Sequence, residues 1–540
     1  MRRELDAGEA RVAARMKRTG RLYAFLREVQ PDLFDEAFQA ELEAAYGVPR
    51  GTAPIPPALL AMVTLLQAYD QVSDRDAVET AAMDKRWQLV LGCLGAEEAP
   101  FSQGVLPTFR ERLIAHDLDR KLLDRTVEIA KRTGKFGWQK LKAMLDSSPL
   151  LGAGRVEDTW NLIGRALSTV VDCAAIALSK PREAVLKEAG LKLLSGPSLK
   201  ATLDIDWDDP AQQAAALQRL LGEVDALQAW VTKHAGDKAH EKPLQEALQA
   251  LRRVLEQDLE PDPGGGLRIR RGVARDRMPS LGDKEMRHGR KSHSKRFNGY
   301  KRHIVSFAGT DLIAGGLVLP ANEPEHDALE PLLADARKHG APEEVLIDRG
   351  YLGSSAIEGL RRQGVEIRAK PWPSRNGGRF TKEDFKIDLG RGELTCPAHQ
   401  KAYFAGPGSV ARFPATACDP CSLRARCTVA APGVGRSVTI HPQEELLLDL
   451  RRIKKTPEGR ASLRERVAIE HHLARIVAIQ GPRARYKGAR KNTLDLRRCA
   501  AVANLQAMAR AARNLPVRIS RARPGSRPDP PARRRGGRGR

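Results

Sequence analysis

The chain of 540 residues carries a formal charge of +24 and 41% apolar residues, which bounds it to roughly two to four units with real cores and favours a polyanionic partner. Its start, MRRELDAGEARVAARMKR, has no apolar h-region, and no run approaches the roughly 18 apolar residues that a membrane span requires. Seven Cys, odd in number and mostly in one window, argue against a disulfide framework and for a reducing, cytoplasmic setting with a local metal site.

Residues 1–135 read as a helical amino-terminal domain. PPALLAMVTLLQAYD puts Leu59, Leu60, Met62, Val63, Leu65 and Leu66 on a broad apolar face with Pro57 in the first turn. SDRDAVETAAMDKRWQLVLG follows, with Ser73 or Asp74 as N-cap and Gly92 as stop. Short helices with basic residues fit a DNA-binding unit and a plain helical bundle equally. Residues 136–154 hold a first core strand, KLKAMLDSSPLLGAG, an apolar run ending on Asp146 before small polar residues. Residues 155–266 read as a helical insertion: Leu217, Leu220, Leu221, Val224, Leu227 and Val231, then Leu244, Leu248, Leu251 and Leu255, recur at helical spacing, and PDPGGG makes a joint. Its acidic LDIDWDDP is read as N-cap Asp209 and first-turn Pro210, not as a metal site.

Between 267 and 370, YKRHIVSF, LIAGGLVL, EVLI and VEIRAK read as strands, with HDALEPLLADARKHG and AIEGLRRQG as helices between them, which predicts a mixed α/β sheet. Residues 371–460 turn rich in Pro, Gly and Cys. Helices return over 461–515, and 516–540 reads as a disordered tail, with nine Arg from 518 onward.

Asp348 follows the apolar strand in EEVLIDRGYLGSS directly, in the same layout as Asp146. Carboxylates at the carboxyl ends of neighbouring strands converge at one edge of an α/β sheet, where ligands bind. Their repulsion calls for a divalent cation. Mg²⁺ takes one or two such carboxylates plus waters and phosphate oxygens, and a pair of ions suits phosphodiester displacement. Standing alone, Asp348 reads as well as a turn residue. The third acid is Glu470 in SLRERVAIEHHLARI, four residues after Arg466 on one helical face, with Leu463, Val467, Leu473 and Val477 as the docking side. By periodicity alone Glu470 is a surface acid on an amphipathic helix.

The stretch 287–303 interleaves Phe297 and Tyr300 with Arg290, Lys291, Lys295, Arg296, Lys301 and Arg302, either a phosphate track or a solvated loop. RARYKGARK adds Arg483, Arg485 and Lys487 beside the Glu470 helix, and Arg466 on that helix is read with them as a DNA contact. Cys396 in CPAH, with Cys418, Cys421 and Cys427 in CDPCSLRARC, offers four thiolates for a closed tetrahedral Zn²⁺ site; His399 is an alternative donor, and free structural cysteines are the other reading. Cys93, Cys173 and Cys499 lie in helical patterns and read as core residues.

Taken together, LDSSPLLGAGRVEDT, GRKSHSKRFNGYKRHIV, VLIDRGYLGSS and ERVAIEHHLARI…GPRARYKGARKN resemble, over 55–515, the DDE transposases of bacterial insertion sequences. The likeness is to the type with a helical amino-terminal domain and a Cys-rich insert before the catalytic Glu. It implies an RNase H-like core holding Mg²⁺ (or Mn²⁺), which cuts transposon ends and joins them to target double-stranded DNA. A homodimer on the DNA ends is expected with it. Matched residue by residue, the catalytic acids fall on Asp146, Asp348 and Glu470, with Glu465 as runner-up. The related Tyr-Arg-Glu-Lys helix signature is kept at Arg466 and Glu470, while Leu463 and Val477 stand where Tyr and Lys would be. The expected architecture is an RNase H-like α/β core (267–370 and 461–515 with the 136–154 strand), a helical amino-terminal domain, a helical insertion and a zinc-ribbon-like insertion at 371–460. A nuclease on the same core that cuts without joining, and a non-catalytic zinc-containing DNA-binding protein, are the alternatives.

Overall fold

The computed structural model describes residues 4–18, 20–47, 54–132, 141–196, 198–292 and 294–512. The Arg-rich tail lies outside them. The central feature is a six-stranded mixed sheet. Its strands are β1 (Lys142–Leu151), β2 (Arg287–Arg290), β3 (Arg296–Phe307), β4 (Ile313–Pro320), β5 (Glu344–Ile347) and β6 (Glu366–Ala369). Strands β4, β3 and β1 run antiparallel in turn, and β1, β5 and β6 continue in parallel, while the short β2 pairs with the first residues of β3.

Both faces of the sheet are covered, which is why Ala143, Met144 and Leu145 can be apolar in a row. Helices α1 (Leu329–Arg337), α2 (Ala356–Arg362) and α3 (Glu444–Lys455) pack with Ala143, Leu145, Val305, Val345 and Ile347 on one face. Helices α4 (Val467–Gln480) and α5 (Ala489–Ala511) cover Met144, Leu150, Ile304 and Leu346 on the other. Amino-terminal helices from Arg21 to Arg132 share this second core, including Leu60, Leu66, Trp87 and Phe109.

Helix α5 also closes the free edge of β4. Asn504 accepts from the Ile313 N–H and donates to the Ile313 carbonyl, Thr493 accepts from the Val318 N–H, and Arg497 donates to the Gly316 carbonyl. Edge groups that would otherwise template another strand are thus satisfied by side chains.

The helical insertion has its own core. Helices Thr159–Leu178, Pro210–Ala235 and Lys242–Asp258 enclose Leu167, Leu220, Leu227 and Leu251. Asp209 caps the second of these by accepting from the N–H groups of Ala211 and Gln212, with Pro210 in the first turn, as its sequence predicts. Thr159–Leu178 is, by length and composition, apolar enough to cross a membrane, a correction to the expectation of no such run; Leu162, Ile163, Leu167 and Val170 on it are buried in this core. The Cys-rich region holds a three-stranded sheet (Lys386–Asp388, Glu393–Thr395, Lys401–Tyr403) and a two-stranded one (Val410–Arg412, Ser437–Thr439) around Phe385, Leu394, Phe413 and Ile440.

Candidate active site

Strands β1 and β5 pair in parallel as Lys142↔Glu344, Ala143↔Val345 and Met144↔Leu346. Two residues past the last of these pairs, Asp146 and Asp348 follow on the face of Met144 and Leu346, and the charge of Asp348 acts on Asp146. Asp146 sits in mid-strand rather than at a strand end as expected. β3 pairs with β1 from Ala143 to Leu151, so β1 runs on alone past β5, and the carboxylates lie just past the paired part of the two strands. Burial pushes the Asp146 carboxyl up, Arg466 and the Ser147 N–H pull it down, and the charges of Asp348 and Glu325 push it up again; the net direction is upward.

Arg466 lies between this pair and Glu470. Its Nη1 is 3.1 Å from Asp146 Oδ2 and its Nη2 is 3.8 Å from Glu470 Oε1. Arg466 is itself a break: it ends the helix Pro457–Glu465 and caps α4, which lets one side chain reach forward to Glu470 and down to β1. Glu470 stays exposed in the first turn of α4. Glu465 is engaged elsewhere, 3.1 Å from Lys142 Nζ, four residues up β1 from Asp146. The docking side of α4 is Ile469, His472, Leu473 and Ile476; Leu473 was expected there, while Val467 and Val477 are exposed, off the face that these buried positions define.

Sequence reasoning missed the polar layer on the opposite face. Glu325, on a 3₁₀ turn after β4, accepts a 2.7 Å hydrogen bond from Ser147 Oγ, and the Ser147 N–H donates to Asp146 Oδ1 at 2.8 Å. Tyr351 Oη is 2.8 Å from His303 Nδ1, and both rings are fully buried. Unlike Asp348, Glu325 stands five residues past the end of its strand, so no strand-then-acid layout marks it in the sequence.

Burial holds His303 neutral, its pKa brought down to about 3, with Lys301 adding to the effect. The unfolded chain takes up a proton near pH 6.5 that the folded chain refuses, so this stability is complete above pH 6.5 and is lost as pH falls toward 3. About 2 kcal/mol of it is expected to be gone by pH 5. Urea midpoints at pH 7 and pH 5 check this: His303→Gln should show a clearly smaller drop than the wild-type chain, and an equal drop contradicts it.

The basic residues separate into two groups. Arg290, Lys291, Lys295 and Arg296 are exposed at the tip of the β2–β3 hairpin. Arg483 and Lys487 are also exposed, on a segment joined to the end of β1 by a Leu151↔Arg483 bridge. Four expected DNA contacts are engaged inside the fold, the first being Arg466 with Asp146 and Glu470. Arg302 is 1% exposed and donates to Gln480 Oε1 and the carbonyls of Gly481 and Pro149, because strand alternation turns it under α4. Lys301 donates to the Glu323 carbonyl and Arg485 to that of Val72.

Cys396, Cys418, Cys421 and Cys427 line one cavity of about 30 Å³ with Phe380, Phe385 and Phe413, and none forms a disulfide. His399 stands in the left-handed region at φ 59°. Among the described residues, no group of three or more His, Cys, Asp or Glu side chains is drawn into an arrangement that could hold a metal ion, at the cysteines or at the acids. Cys499 is buried as expected, and Cys93 and Cys173 are half-buried.

Two family models match the chain. One, described as "Transposase domain (DUF772)", covers residues 14–112, and the other, "Transposase DDE domain", covers residues 395–509. No curated protein and no solved structure matches. The first match lies on the amino-terminal helices and the second spans Arg466, Glu470 and Arg483, the residues that lean on β1. The two matches on one chain support a DDE-type insertion-sequence transposase.

Proposed function

We propose that the chain cuts the ends of its element and joins the freed 3′-OH groups to target DNA, with Asp146, Asp348 and Glu470 as the catalytic acids. The observation that carries this reading is Arg466 joining Asp146 to Glu470, with the charge of Asp348 close enough to act on Asp146 just past the paired part of β1 and β5. The strand order β4-β3-β1-β5-β6 supports an RNase H-like core.

The donor set fits hard divalent cations in kind. Two half-buried carboxylates lie near each other with Arg466 as the ion-pair partner of Asp146, and burial and neighbouring charge disfavour the ionised form of Asp146. Asp146, Asp348 and Glu470 would hold Mg²⁺ or Mn²⁺. When bound, a pair of such ions activates the attacking oxygen and stabilises the leaving one. The chain's own part is positional. β1 and β5 fix the two aspartates, and Arg466 holds Glu470 toward them. The exposed cations of the β2–β3 hairpin and of 483–487 track the DNA backbone toward the acids. DNA carrying the element's inverted ends should be nicked there only with a divalent cation, and nicking unaffected by chelation contradicts the reading. We further propose that the enzyme works as a homodimer on paired ends, in the cytoplasm.

Cys396, Cys418, Cys421 and Cys427 fit Zn²⁺ in number and chemistry, as a structural site of a zinc-ribbon-like insert. Purified protein is expected to carry about one Zn²⁺ per chain, and Cys421→Ser to lose it and loosen the insert. Elemental analysis of unchelated protein checks this; no zinc removes the idea.

Neutralising Lys295 and Arg296 together should weaken binding to unrelated DNA sequences alike and lower the slope of log K against log salt by roughly 1–2. Loss of sequence preference at an unchanged slope would point to base readout instead.

A further inference from the structure

We propose that Glu325 is a positioning residue of the acid site, a fourth carboxylate whose charge and contacts set the Asp146–Asp348 pair for the cation. This rests on the reading of those acids as the cation-holding site. Glu325 touches β1 and lies beside the turn that follows β5. Toward β1, its Oε1 accepts from Ser147 Oγ at 2.7 Å, and the Ser147 N–H donates to Asp146 Oδ1 at 2.8 Å. The carboxylate is thereby one residue removed from Asp146 through a continuous hydrogen-bonded path.

Toward β5, its Oε2 fills the space beside Gly350, two residues after Asp348: a Cβ there would lie 2.0 Å from that oxygen. The neighbouring His326 ring closes over Gly353 in the same way, at 2.9 Å from a Cβ built there. Gly350 does not have a left-handed backbone, so the small residue at this position makes room for the acid rather than meeting a strained turn. The 3₁₀ turn Glu325–Ala328 and the turn Arg349–Gly353 therefore interlock, and the second begins directly after Asp348.

The charge itself is not spent on an ion pair. Among the described residues Arg466 is paired to Asp146 and Glu470, while neither Glu325 nor Asp348 has a salt-bridge partner. Four carboxylates against the Arg466 guanidinium and the Lys301 ammonium leave the region net negative. Outer-shell groups of this kind orient the ligands they touch, and their loss typically costs roughly 10–100-fold in metal affinity.

Isothermal titration of Mn²⁺ into the full-length protein tests the role without reference to turnover. Glu325→Gln retains an acceptor for Ser147 and loses only the charge, and it should weaken Mn²⁺ binding by about tenfold or more. Ser147→Ala keeps the charge but cuts the path to Asp146, and it should weaken binding by a smaller factor. Wild-type affinity in Glu325→Gln overturns the proposal and leaves Glu325 as a hydrogen-bond partner alone. Asp146→Asn and Asp348→Asn separate the two levels. If they abolish Mn²⁺ binding while Glu325→Gln preserves it, only this inference fails. If the wild-type chain binds no Mn²⁺, or both Asn variants bind as it does, the reading of the site fails and takes this inference with it.

Discussion

Asp146→Asn and Asp348→Asn are each expected to lower cleavage at the element's ends by at least about a hundredfold while leaving the fold and end binding intact. Asn keeps the shape and hydrogen-bonding capacity of Asp but removes the negative oxygen that a hard cation requires. The stability effect should run the other way. The folded-state pKa of Asp146 is raised, so its ionised form is disfavoured in the fold; that cost is absent at low pH, where the group is protonated, and present at neutral pH. A neutral Asn removes the cost, and Asp146→Asn should melt about 1–3 °C higher than the wild-type chain in metal-free buffer at pH 7. Added Mg²⁺ should close or reverse that gap, because only the wild-type chain gains from binding. Calorimetry with and without Mg²⁺ reads this, and a lower melting point for the variant in metal-free buffer contradicts the crowding of these acids.

Glu470→Gln and Glu465→Gln should differ sharply. Glu470 shares Arg466 with Asp146, whereas Glu465 is tied to Lys142 at the other end of β1, beyond a helix break. Cleavage should fall at least about a hundredfold in Glu470→Gln and less than about threefold in Glu465→Gln, since the latter loses an exposed ion pair worth roughly 1 kcal/mol or less. Single-turnover rates on pre-bound DNA make the comparison. If the two variants exchange behaviours, the third acid is Glu465.

Much of the sheet was legible because its strands are short apolar runs bounded by turn residues, and VLI before Asp348 is the clearest case. Asp146 was found for the same reason, yet the strand was cut short at it: Ser147 and Ser148 read as a loop, and only the long antiparallel pairing with β3 keeps them extended. Arg302 reads as one cation among many in a basic stretch, and nothing local says that it turns fully into the protein. Its burial is fixed by partners about 150 to 180 residues away, Pro149, Gln480 and Gly481. Glu325 was passed over because ANEPEHD looks like the polar start of a helix. Its relation to Ser147 and Gly350 exists only once β1, β4 and β5 lie side by side. The docking side of α4 was misjudged at Val467 and Val477, which lie off the face that Ile469, His472, Leu473 and Ile476 define.

The most direct test is a strand-transfer assay: full-length protein, labelled DNA ending in the element's own exposed 3′-OH, an unlabelled supercoiled target and Mg²⁺. The expected result is label covalently joined to target DNA, dependent on the cation and lost in Asp348→Asn. Binding and cutting of the element's ends with no joined product at any Mg²⁺ or Mn²⁺ concentration would contradict the account.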